Sequence, residues 1–236
     1  MSDFKYSSCE YCAAEECPSD DCGPADTDDY YHSVREVTEE IEKAQRRKTK
    51  VLCISGKAQH GKDTSATFLR EALEKRGKKV LITHYGDLVK YLCKTFFDWD
   101  GEKDEKGRTL LQYIGTDVIR AQTPDYWVDF VLSVLKHFPD TWDYVLIPDC
   151  RFPNEVNCVK NAGWDTMHLR VIRSGNGFVS PLTEEQQKHP SETALDNTLP
   201  DFFILNYGTL ADLNIYINEF ARYLVESNTE QTSNLA

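Results

Sequence analysis

Residues 51–64 read VLCISGKAQHGKDT, and the reading of this stretch decides the fold. Val51, Leu52, Cys53, Ile54 and Ser55 make a short run of apolar and small residues, the pattern of a buried strand. The run opens directly into Gly56-Lys57-Ala58-Gln59-His60-Gly61-Lys62. Two glycines five positions apart let the backbone wrap with its N–H groups pointing inward, Lys62 adds a point charge, and the helix that follows offers its positive N-terminus. The stretch therefore predicts a cradle for phosphate groups. A glycine-rich turn in an ordinary α/β protein is the plainer alternative, and the strict order of strand, GxxxxGK and amphipathic helix argues against it.

Most such loops carry Ser or Thr after the lysine. Here Asp63 stands there, with Thr64 next. A carboxylate is a harder ligand for Mg²⁺ than a hydroxyl, so Asp63 is a candidate metal ligand; it is equally a residue favoured in the first turn of a helix. Both readings stay open.

The chain has 236 residues, enough for one sizeable core, and a net charge of −12 that argues against a general nucleic-acid or anionic-membrane surface. No apolar run approaches the roughly 18 residues of a membrane span, and the acidic start is unlike a secretory signal, so a cytoplasmic protein is expected. The charge is uneven, with residues 1–30 carrying −8 of the total. That segment has the composition of a disordered tail, interrupted by Cys9, Cys12, Cys17 and Cys22 in a spacing similar to a zinc knuckle with cysteine in place of its histidine. Four thiolates could close one structural Zn²⁺ site; a floppy tail with free thiols is the alternative. The other four cysteines, Cys53, Cys93, Cys150 and Cys158, read as reduced core thiols.

Residues 33–48 show helical spacing through Val34, Val37, Ile41 and Ala44, so 31–49 is expected to be an amphipathic linker helix. After the loop, a helix over 64–76 and a strand over 79–84 complete a strand–helix–strand unit, which implies a right-handed crossover and a parallel sheet. The segment YGDLVK follows that strand, and since ligands in such folds gather at the carboxyl ends of strands, Asp87 and Lys90 are site candidates, with helix capping the plainer role for Asp87. Helices over 107–121 and 126–137, separated by Thr123-Pro124, form an insert of the kind that binds an acceptor and carry Arg108, Gln112, Thr116, Arg120 and Trp127. Arg120 draws particular interest because it follows a break expected at Gly115-Thr116. Residues 142–148 are a third strand, ending at Asp149-Cys-Arg151-Phe-Pro-Asn-Glu155; an aspartate at the tip of an apolar strand is where a phosphate-loop enzyme places the group that orients Mg²⁺. A short helix over 154–162, a strand over 166–172, a nucleotide-closing loop over 174–190, a fifth strand over 202–205 and a last helix from Thr209 to about 225 follow. Residues 227–236 are expected to be a disordered tail.

Taken in order, GKAQHGKDT, YGDLVK, LLQYIGTDVIRAQTPDYWV, IPDCRFPNEV, HPSETAL and NYGTLADL resemble the phage-type deoxynucleoside monophosphate kinase family over about residues 50–226. The resemblance implies a three-layer α/β kinase fold with a parallel five-stranded core sheet and a helical acceptor-binding insert, with ATP as donor and a deoxynucleoside 5′-monophosphate as acceptor. It implies that Lys62 neutralises the donor phosphates, that Asp149 organises Mg²⁺ and that Arg120 and Arg151 clamp the acceptor phosphate. Asp87 and Glu155 would sit on the acceptor side, where Trp127 would stack on a base. Arg170, Arg173 or the acceptor-site arginines would meet transition-state charge, because the 174–190 loop has no arginine, only Lys188 and His189. Asn206 would sit at the adenine side, although Tyr207 stands where the family more often has Asp or Asn. A host cytoplasm follows if the gene is a phage's; homodimerisation is left open. Two other functions compete: another small-molecule kinase similar to phosphomevalonate or dephospho-CoA kinase, and a non-catalytic nucleotide-binding adaptor.

Overall fold

Along β1 (Arg47–Ser55) successive side chains go to opposite faces. Val51 and Cys53 join one core cluster, Leu52 and Ile54 the other, and all four are fully buried. This double burial is why the strand reads as a continuous apolar run, as parallel strands covered on both faces do. The computed structural model describes residues 47–233 apart from Asn176, so Cys9, Cys12, Cys17 and Cys22 and most of the expected linker helix lie outside the described residues. Arg47 and Lys48, expected to end that helix, instead begin β1.

The other strands are β2 (Val80–Ile82), β3 (Tyr144–Cys150), β4 (Trp164–Arg173) and β5 (Phe202–Asn206), in the order β2-β3-β1-β4-β5 with every neighbouring pair parallel. Leu52 stands opposite Leu146 on one side and Met167 on the other, which sets β1 at the centre. One face is covered by α1 (Lys62–Glu74) and α8 (Leu210–Ser233), whose Leu69, Leu73, Leu213 and Ile217 pack on Leu52, Ile54 and Val171. Truncating any one of these buried leucines to Ala would cost about 2–5 kcal/mol.

The other face carries α2 (Gly86–Phe96), α4 (Tyr126–His137) and α5 (Pro153–Asn161), with Val89, Cys93, Val128, Leu132, Val156 and Val159 in its core. The three-layer α/β arrangement with five parallel strands is the one expected. The YGDLVK segment is the first turn of α2, held by burial of Val89 and Cys93 one turn apart. Three local expectations are corrected. The insert has no break at Gly115-Thr116: α3 (Glu105–Gln112) runs into a π-helix over Tyr113–Arg120, where Ala121 N–H reaches Thr116 O. The 174–190 loop contains α6 (Glu184–Lys188), capped by the Thr183 hydroxyl, and leads into α7 (Pro190–Thr193). Finally, α8 continues to Ser233, so residues 227–233 are helical backbone. Among the described residues no helix is long and apolar enough to cross a membrane.

Candidate active site

The loop after β1 is shaped by two glycines that no other residue could replace without strain. Gly56 has φ +144°, and a Cβ there would lie 2.4 Å from Val171 O; Gly61 has φ +96°, and its Cβ would lie 2.8 Å from Asn206 Nδ2. The loop thus rests on the carboxyl ends of β4 and β5. Asn206 Nδ2 donates to His60 O at 3.1 Å, which makes it a support of the loop rather than an adenine contact. Lys62 opens α1 and is buried, with Nζ donating to Lys57 O at 2.9 Å. Burial, and then Arg151 nearby, bring its pKa down to about 8, while Glu192, Asp63 and Asp149 act in the opposite direction.

At the tip of β3, Asp149 accepts Tyr85 N–H on Oδ1 at 3.0 Å and Gly86 N–H on Oδ2 at 2.7 Å, so the start of α2 fixes the carboxylate. Two residues on, Arg151 is engaged through Nη1 with Ser191 O at 3.1 Å and with the Glu192 carboxylate. Glu155 is buried and folds back on its own helix start, accepting Arg151 N–H at 2.5 Å and Phe152 N–H at 3.0 Å on Oε2, while Oε1 pairs with Arg120 Nη2. Burial pushes Glu155 up to about 6; the guanidinium and the two N–H groups keep it ionised at neutral pH.

Arg120 is buried, lies over the Phe152 ring at 3.9 Å from Cζ to centroid, and also donates to Pro124 O at 3.0 Å and Asn154 Oδ1 at 3.1 Å. Most of its donors are therefore spent inside the protein. It pairs with Glu155 and through Glu155 supports the Arg151 backbone. Trp127 is likewise engaged inside the protein. It is buried with its indole N–H on Gly115 O at 2.9 Å, a carbonyl at the start of the π-helix, so its ring packs the insert onto the core.

A cavity of about 560 Å³ opens at the carboxyl ends of β1 and β3, where strand order switches and ligands bind in such sheets. From the donor side Ala58, Gln59, Gly61, Lys62, Asp63, Thr64, Arg173 and Asn206 line it; from the insert side come Lys90, Arg108, Gln112 and Thr116, with edges of Arg120 and Trp127; Asp149, Arg151 and Glu155 stand between. Gly56, Lys57 and His60 face a smaller cavity of about 240 Å³ behind the loop, with Arg170, which donates to Thr198 O at 2.8 Å. Asp87 is absent from both linings. It is held by Lys90 Nζ at 2.7 Å and by His84 Nδ1 at 3.3 Å.

Polar lining residues to which the sequence had given no role include His84, Ser191 and Glu192. His84 Nε2 meets Asp63 Oδ1 at 3.2 Å, so its imidazole bridges Asp63 and Asp87; the Asp63 contact raises the His84 pKa and lowers that of Asp63. Ser191 and Glu192, from the HPSETAL run, also line the cavity, and Glu192 accepts Ala58 N–H from the phosphate loop at 3.2 Å. Their signal was a conspicuous HPSE run with no assigned role. Among the described residues no cluster of three or more His, Cys, Asp or Glu forms a ready metal cage, so a metal held here would share its shell with water or a ligand, as Mg²⁺ commonly does.

Three comparisons bear on this geometry. The family model described as deoxynucleotide monophosphate kinase matches residues 74–217, starting behind the phosphate loop. A curated relative, the deoxynucleotide monophosphate kinase of Enterobacteria phage T4, is 32% identical over 108 residues, which is 45% of this chain and 41% of that relative. Solved structures with a similar outline include the APS kinase of Mycobacterium tuberculosis in complex with AMPPNP and APS, at 12% identity and a TM-score of 0.41 over 76% of this chain and 96% of that one. The dephospho-CoA kinase from Campylobacter jejuni gives 12% identity and a TM-score of 0.36 over 75% and 97%. Structural likeness at this level goes no further than outline, whereas the family match spans well over half of the chain, and by that match the chain belongs to the deoxynucleotide monophosphate kinase family.

Proposed function

We propose that this protein transfers the γ-phosphoryl group of ATP to a deoxynucleoside 5′-monophosphate. The observation that carries this reading is that Lys62 of the phosphate loop and Asp149 and Arg151 at the tip of the neighbouring strand line one cavity, in a chain of the deoxynucleotide monophosphate kinase family. Phosphoryl transfer between two phosphates brings polyanions together, so the protein's part is alignment, neutralisation and exclusion of water. Lys62, buried at the start of the helix after the loop, takes the donor phosphates; the loop N–H groups fix them. Arg151 holds the acceptor phosphate through its guanidinium, with its backbone pinned by Glu155 and Arg120. Lys90, Arg108, Gln112 and Thr116 border the space for the acceptor nucleoside.

Asp149 and Asp63 suit Mg²⁺ as hard oxygen donors. Each Asp149 oxygen accepts one backbone N–H and keeps a lone pair, and Asp63, largely exposed, is engaged through Oδ1 only. Bound there, the ion would supply charge neutralisation between the phosphates. A cytoplasmic setting goes with these substrates, that of the host cell if the gene is a phage's. The test is a coupled assay with ATP, Mg²⁺ and a panel of deoxy- and ribonucleoside monophosphates, alongside phosphomevalonate and dephospho-CoA. Turnover on a deoxynucleoside monophosphate is expected; turnover confined to one of the other acceptors would replace the assignment.

A further inference from the structure

Outside the donor and acceptor groups, the least expected side chain in the cavity is Glu192. Its carboxylate is 5% exposed, on the first residues of a four-residue helix, in a site whose other features favour anions from outside. Oε2 accepts Ala58 N–H of the phosphate loop at 3.2 Å, and Oε1 pairs with Arg151 Nη1. The same segment is tied to the loop by Lys57 Nζ, which donates to Glu192 O at 3.0 Å and to Asp196 Oδ2 at 2.8 Å. His189, against Asp117 at 3.3 Å, and Gln112, against Ser191 at 3.5 Å, tie its other end to the insert.

We propose that Glu192 is an internal stand-in for a phosphoryl group: its carboxylate and a phosphate oxygen compete for the same loop N–H and the same arginine, so phosphate binding must displace it. The inference rests on the kinase reading only in taking the loop as a phosphate site. Both donors are of the kind that recognise phosphate, a loop N–H and a guanidinium; the single Ala58 N–H cannot serve two anions with full geometry, and both hydrogens of Arg151 Nη1 are already held by Ser191 O and Glu192. A loop already holding a carboxylate binds external phosphate with an affinity reduced by the fraction of time the carboxylate is away. Displacement has a second effect. One Nη1 hydrogen of Arg151 is released when Glu192 leaves, the other remaining on Ser191 O, so the residue proposed to hold the acceptor phosphate gains a donor once the donor phosphates are seated. Glu192 is thereby a positioning residue that orders the two substrates.

The test uses inorganic tripolyphosphate, titrated calorimetrically into the full chain without metal, for the parent protein, Glu192→Gln and Glu192→Asp, with thermal unfolding to confirm that each is folded. Glu192→Asp keeps the charge and withdraws the carboxylate by one methylene, so it separates competition from a change in overall field. Competition predicts tighter binding of about fivefold or more in Glu192→Gln and a clear part of that gain in Glu192→Asp. Tightening in Glu192→Gln alone, with Glu192→Asp at the parent value, would reduce the effect to net charge and overturn the proposal, as would unchanged or weaker binding in both. Failure of the whole nucleotide panel together with tightened tripolyphosphate binding would remove the proposed activity and leave Glu192's role standing; no tripolyphosphate binding by any of the three proteins would remove both. Where turnover is present, Glu192→Gln should also hydrolyse ATP faster without acceptor, and no such rise would contradict the ordering role.

Discussion

The two ends of the cavity are built from different materials. The donor end is backbone: a loop whose shape is dictated by Gly56 and Gly61 against Val171 O and Asn206 Nδ2, with Lys62 as its main side-chain contribution. The acceptor end is largely side chain: the ion pairs Arg120–Glu155 and Arg151–Glu192, joined by the Arg151 N–H on Glu155, form a chain running from the insert to the phosphate loop. A backbone site tolerates little variation in sequence and so leaves a legible motif. A side-chain site distributes its work among residues whose partners are more than thirty positions away, as Arg120 and Glu155 are at 35, and the roles within it depend on which group meets which.

The largest effect should come from cutting that chain at its buried link. Arg120→Ala leaves Glu155 with no guanidinium in a buried position and should lower stability by about 3–5 kcal/mol in denaturant unfolding. Loss of acceptor affinity at unchanged stability would return Arg120 to the role of a direct phosphate clamp. At the donor end, Lys62→Ala should reduce turnover about a hundredfold or more with the fold retained, since the change removes a charge aimed at the phosphates. Near-parent turnover would detach this loop from the donor.

Two smaller effects sharpen the contrast. Arg151→Lys keeps a charge and loses the planar fork, so acceptor KM should rise about tenfold while KM for ATP moves much less; an equal rise in both would place Arg151 on the donor side. The pH dependence of tripolyphosphate binding tests Lys62. Its pKa of about 8 lies below the ordinary lysine value of 10.5, and anion binding favours the protonated form, so the pKa rises in the complex. Above about pH 8 the free protein must take up a proton to bind, and affinity should fall about threefold between pH 7.5 and 8.5; the slope should vanish in Lys62→Ala.

The sequence carried the phosphate loop, the five parallel strands and the strand-end aspartate because each is a local pattern: an apolar run, a glycine spacing, a charged residue at a strand tip. It did not carry the pairing of Arg120 with Glu155, which requires the insert and α5 to meet in space, and so Arg120 and Trp127 looked like ligand contacts when both are spent on internal partners. Helix α2 was hidden because YGDLVK drew attention as a site segment while Val89 and Cys93 gave only one turn of periodicity. Glu192 was quoted within its motif, yet nothing in the linear order of residues could bring it to Ala58, 134 positions away.

The π-helix at Tyr113–Arg120 has a consequence in terms of chain length. A turn closed from i to i+5 holds one residue more than an α-helical turn, so the segment behaves as an insertion that the fold has kept. Were the same residues wound as an ordinary α-helix, everything before the segment would turn by about 100° relative to everything after it. Arg108 and Gln112 could then face the cavity, or Arg120 could face Glu155, but not both. What joins substrate-facing residues to the buried ion pair is therefore the wider winding of this segment.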